Sequence, residues 1–138
     1  MKNVCLLALC GFVVGTLLSS VPRAYATDAF KKEFESMYVK KEPATDAEKS
    51  LVAAVQKAKC NVCHVGKTKK VRNDYGKALN TMLTKKDAKD TAKIHESLEK
   101  VASMKSKPDD AGSPTFGELL LQGKLPGGEP DATASAGN

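Results

Sequence analysis

Two cysteines three positions apart with a histidine directly after them, Cys60-Asn61-Val62-Cys63-His64, constrain this 138-residue chain more than any other feature. The spacing puts two thiols and one imidazole on a single short turn. Only four cysteines occur in the sequence, and the other two, Cys5 and Cys10, lie in an apolar run from Val4 to Leu18. That run follows Lys2 and ends before Ala24-Tyr25-Ala26, a small-x-small pattern of the kind a signal peptidase cuts. Residues 1–26 are therefore expected to be a cleaved leader and the protein to be exported, to the periplasm or another extracytoplasmic space. A retained membrane anchor is the alternative, but it needs roughly 20 apolar residues and the run has about 15. After cleavage Cys60 and Cys63 are the only thiols left, so no disulfide framework is expected.

The remainder reads as all-α. Asp28 caps an expected first helix to about Val39, with Phe30, Phe34, Met37 and Tyr38 on one stripe. Thr45 and Glu48 have the spacing of a capping box ahead of Leu51, Val52, Val55 and Ala58, in a helix that runs into Cys60. Tyr75, Leu79, Met82 and Leu83 mark a third helix, Ile94, Leu98, Val101 and Ala102 a fourth, and Phe116 to Leu121 a short fifth. No period-2 strand pattern is expected. The stretch from Pro126 to Asn138 has no large apolar side chain and is expected to be a mobile tail. The expected organisation is a leader (1–26), an added helix (27–45), a main domain (46–125) and a tail (126–138). Few aromatic side chains and no tryptophan leave a small core, which a buried apolar cofactor would help to stabilise.

The chemistry of the Cys60 to His64 turn follows from its spacing. Two thiols at the end of a helix can both reach the vinyl groups on one edge of a porphyrin, and the next residue, His64, can coordinate the iron through a neutral imidazole. Covalent haem attachment through Cys60 and Cys63 is the leading reading. A zinc site wants four ligands, and beyond the motif the mature chain offers only His95 among histidines and no further cysteine. A thioredoxin-like pair is expected near a βαβ pattern, whereas these flanks look helical.

On these residues the chain resembles the class I, mono-haem c-type cytochrome family over about residues 46–125. The resemblance implies a cytochrome c-like helical fold around one haem, one-electron transfer with redox proteins, and a methionine on the far side of the iron. Met104, at the end of the fourth helix and before a loop, stands where such a methionine is expected, so His64 and Met104 are the expected iron ligands; Met82, Met37 and His95 are the other candidates. The chain departs from the family pattern in having no proline in the loop after His64, so another carbonyl or side chain must orient the imidazole.

The net charge is +6, and cleavage of the leader removes only Lys2 and Arg23 of the charged residues. Lys57, Lys59, Lys67, Lys69, Lys70 and Arg72 bracket the motif with no acidic residue among them. Such a rim suits an acidic redox partner or loose association with an anionic membrane surface. Nucleic acid is a poor partner, because no aromatic side chains interleave the lysines. An electron carrier needs no substrate site and is not expected to be an enzyme; a haem protein with an open or labile sixth iron position, peroxidase-like or sensing gas or redox state, is the alternative.

Overall fold

The computed structural model describes residues 25–130; the expected leader up to Ala24 and the tail beyond Pro130 lie outside the described residues. Helix α1 spans Tyr25–Tyr38 and begins two residues before the expected mature N-terminus. The sequence suggests Asp28 as its cap; Asp28 instead lies within the first turn, where a carboxylate faces the positive end of the helix dipole. Helix α2 (Asp46–Ala58) starts at the expected capping box. The Thr45 hydroxyl accepts from the Glu48 N–H at 3.2 Å, and the Glu48 carboxylate accepts from the N–H groups of Thr45 and Ala44. These bonds hold the exposed Glu48 carboxyl below its ordinary range.

A 3-10 turn, Lys59–Val62, carries the chain from α2 into β1 (His64–Val65), which pairs antiparallel with β2 (Val71–Arg72) in the register His64 with Arg72 and Val65 with Val71. This hairpin corrects the expectation of no strands. Two-residue strands are too short to leave an alternating pattern, so the signal for them is absent from the sequence. Helix α3 (Asp74–Met82) follows with Asn73 as its cap, then a 3-10 turn, Lys85–Lys89, opened by Thr84 and Asp87. Helix α4 (Thr91–Ala102) is capped by Asp90, and α5 (Phe116–Leu121) opens on a third capping box, Thr115 with Glu118, after those at Thr45 and Thr84.

The described residues are thus mostly helical, with one small hairpin. The helices share one core to which each contributes its apolar stripe: Phe34 from α1, Leu51 and Val55 from α2, Tyr75 and Leu79 from α3, Ile94, Leu98 and Val101 from α4, and Phe116 and Leu120 from α5. Tyr75 is fully buried at its centre, with ring centroids 5.9 Å from Phe34 and 5.2 Å from Phe116, both edge-on.

The segment after α5 packs against the rest of the fold. Leu125 is buried, Pro126 is buried with it, and Gly127 lies so close to the Asn73 amide that a Cβ there would sit 2.0 Å from Nδ2. Gly127 therefore packs on Asn73, and Gly127 to Pro130 lie beside Asn61 and His64 of the cysteine turn. The contact is made by small residues against backbone and amide groups, which a search for large apolar side chains does not register.

Candidate cofactor site

The site is built where α2 ends. Lys59 has φ +52°, an uncommon left-handed conformation for a lysine, and it turns the chain out of α2 into the 3-10 segment that carries Cys60. Cys63 closes that segment through its N–H to the Cys60 carbonyl at 3.3 Å. Across from it, α3 comes very near: a Cβ on Gly76 would lie 2.0 Å from the Cys63 carbonyl oxygen, so only glycine permits this approach.

The free thiols of Cys60 and Cys63 and the imidazole of His64 all line one cavity of about 340 Å³. Its apolar wall comes from Phe30 and Phe34 of α1, Val62, Leu79, Leu83 and Leu98. Its rim is basic: Lys31, Lys59, Lys69, Lys70, Arg72 and Lys85 line it, and no acidic side chain does. Four of the six cations expected from the sequence are there, Lys57 and Lys67 are not, and Lys31 and Lys85 are brought in from α1 and the turn after α3. The volume lies at the low end of the range for small-molecule and cofactor sites, which are mostly apolar-walled; the ring of cations sets this one apart.

Electrostatics separate the two thiols. Burial pushes the Cys63 thiol up to about 12, with Cys60 adding to the rise and Arg72 opposing it. Cys60 has the Lys69 ammonium beside it, and that contact raises the lysine. Burial lowers His64, the charges of Arg72 and Lys69 lower it further, and the backbone at Val71 and Lys69 acts in the opposite sense. The net effect favours the neutral imidazole, the form that ligates metals. His64 Nδ1 is buried with no hydrogen-bond partner.

The three side chains share a cavity without converging on one point. Among the described residues no group of three His, Cys, Asp or Glu side chains is arranged to hold a metal ion. A tetrahedral zinc site needs such convergence. The donor set that does line the cavity, two thiols and one imidazole, is the set a covalently held haem would use.

The structure does not bring the candidate far-side ligands to the cavity. Met104 is 40% exposed in the turn after α4, with its N–H on the Val101 carbonyl and its carbonyl accepting from the Phe116 N–H. The face of α4 that turns inward carries Ile94, Leu98 and Val101, and the helix ends before Met104 can follow them. Met82 and Met37 pack half-buried against the core, as space-filling methionines do. His95 bonds Glu33 of α1 through Nε2 at 2.8 Å. None of the four lines the cavity.

Sequence reasoning missed Phe30 and Phe34 as cavity walls, since a helical stripe does not say which part of the core it faces. It also missed Asn73 and Gly76. The run Asn73-Asp74-Tyr75-Gly76 carries a local signal for a helix cap, but not for the contacts these residues make with the cysteine turn. No described helix is long and apolar enough to cross a membrane. No protein-family model matches the chain, and neither a curated protein nor a solved structure shows significant similarity to it.

Proposed function

We propose that this protein is an exported mono-haem cytochrome c that passes single electrons between redox partners. The observation that carries the reading is that Cys60, Cys63 and His64 open together onto one apolar-walled, cation-rimmed cavity. Cys60 and Cys63 would hold the haem through thioether bonds and His64 would ligate its iron. When bound, the haem supplies a one-electron iron couple. The chain does the rest: Phe30, Phe34, Leu79 and Leu98 keep water from the ring, and the neutral His64 offers a nitrogen lone pair. The basic rim steers an acidic partner, at a rate that falls as salt rises.

A second reading is favoured by the placement of Met104, Met82, Met37 and His95 away from the cavity. In it the sixth iron position is open or labile, as a peroxidase-like or gas- or redox-sensing haem protein requires. The test is an optical spectrum of the exported protein in both oxidation states, after acid extraction to establish covalent haem, followed by carbon monoxide on the ferrous form. Covalent haem that ignores carbon monoxide is the result expected of the carrier. Rapid binding selects the second reading, and haem-free protein rejects both.

A further inference from the structure

One buried amide joins three separate pieces of this chain. Asn73 is 9% exposed, and its Nδ2 donates to the carbonyls of Val62 at 3.0 Å and Asn61 at 3.2 Å, the two residues between the cysteines. Its Oδ1 accepts from the Gly76 N–H at 2.9 Å, and its own N–H donates to the Cys63 carbonyl at 3.2 Å. Both side-chain hydrogens are thus spent on the cysteine turn and the oxygen on the start of α3. Gly127 closes on the same amide from the C-terminal segment, with room for a hydrogen and no Cβ.

Helix capping explains only part of this. Ser, Thr or Asp would cap α3 as well as asparagine does, but none of them can also donate twice to the chain between Cys60 and Cys63. The surplus bonds fall on the segment that carries Cys60, Cys63 and His64.

We infer that Asn73 is a positioning residue for that segment: it pins the cysteine turn to α3 and to the C-terminal segment, and so fixes how His64 is presented to the cavity. Its consequence for the iron rests on the haem reading above. The pinning itself does not. In that reading, outer contacts of this kind set ligand orientation and tune the metal.

Two variants test it on the full chain. Asn73→Ser keeps a hydroxyl cap for α3 and loses both donations to the turn; Gly127→Ala leaves Asn73 in place and displaces its amide from behind. Residue-resolved amide hydrogen exchange is expected to quicken about tenfold at the N–H of position 73, which bonds Cys63, in both variants, with less than about a twofold change at Gly76 in Asn73→Ser, which keeps the cap. In the haem-loaded protein both variants are expected to shift the reduction potential and the ferric low-spin resonance, which a helix cap alone would leave in place. Unchanged protection at position 73 in both variants overturns the inference. So does equal quickening at position 73 and Gly76 in Asn73→Ser, and so do a potential and resonance that stay fixed while exchange rises. A parent protein that carries no haem defeats the haem reading alone, and the pair of exchange rates still decides whether Asn73 pins the turn.

Discussion

Glu33 of α1 and His95 of α4 meet across the fold, with a carboxylate oxygen 2.8 Å from the imidazole Nε2. The bond ties the helix that brings Phe30 and Phe34 to the cavity against the helix that brings Leu98. The Glu33 side chain is 18% exposed and that of His95 39%, so water and salt reach the pair and its contribution is modest. Glu33→Ala is expected to cost about 0.5–1 kcal/mol in urea unfolding, and adding His95→Ala to cost little more, since one interaction is lost in either case.

Tyr75 gives the opposite expectation. Its ring fills the centre of the core, yet its hydroxyl is buried with no hydrogen-bond partner. Burial, with Cys63 and then Tyr38 adding to it, holds the phenol well above its ordinary range. Tyr75→Phe removes an unpaired polar group and keeps the ring contacts, so stability should hold or rise by up to about 1 kcal/mol. A loss larger than that in the urea midpoint would mean that the hydroxyl has a partner after all.

Gly76 tolerates nothing larger. A Cβ there meets the Cys63 carbonyl oxygen at 2.0 Å and its carbon at 2.9 Å, both backbone atoms that cannot swing aside. Gly76→Ala should therefore cost about 3 kcal/mol or more, by forcing α3 away from the cysteine turn. Thermal unfolding measures this directly, and a variant as stable as the parent would show that the helix and the turn are not in contact.

The two thiols should differ in a haem-free chain. With its thiol at about 12, Cys63 stays protonated at neutral pH, and only the thiolate is a nucleophile. Iodoacetamide should modify Cys60 first, and the Cys63 rate should climb as pH rises towards 12. The same shift weakens folding in alkali: above the ordinary value of 9.0 the unfolded thiol ionises and the folded one does not, so stability present at lower pH is lost as pH rises through that window. Mass spectrometry of peptides after timed alkylation separates the two sites.

If the protein carries haem as proposed, Met104→Ala should leave its spectrum unchanged, because the side chain is exposed in the turn after α4 and does not line the cavity. Its stability cost should stay within about 0.5 kcal/mol, as for other exposed positions. Loss of a low-spin spectrum in this variant would restore Met104 as the far-side ligand.

What could be read from the sequence was local. The Thr45 and Glu48 spacing marked the start of α2, the Ile94, Leu98 and Val101 stripe marked the inner face of α4, and the Cys60 to His64 spacing marked a turn that lines the cavity. What could not be read depends on how distant pieces meet. The position of Met104 is set by where α4 stops and by its bond to Phe116, neither of which has a sequence period. Gly127 looks like part of a low-complexity end until the Asn73 amide is found against it. The hairpin at His64–Val65 and Val71–Arg72 rests on backbone pairing alone.

Phe30 and Phe34, near the start of the described chain, and Gly127 to Pro130, at its end, flank the same five-residue turn from two sides. A shortened version made to keep only the conventional-looking middle, residues 46–125, would discard both. The unit that keeps both flanks of the turn runs from α1 through Pro130, so on a ribosome the turn is synthesised before the last residues that lie against it.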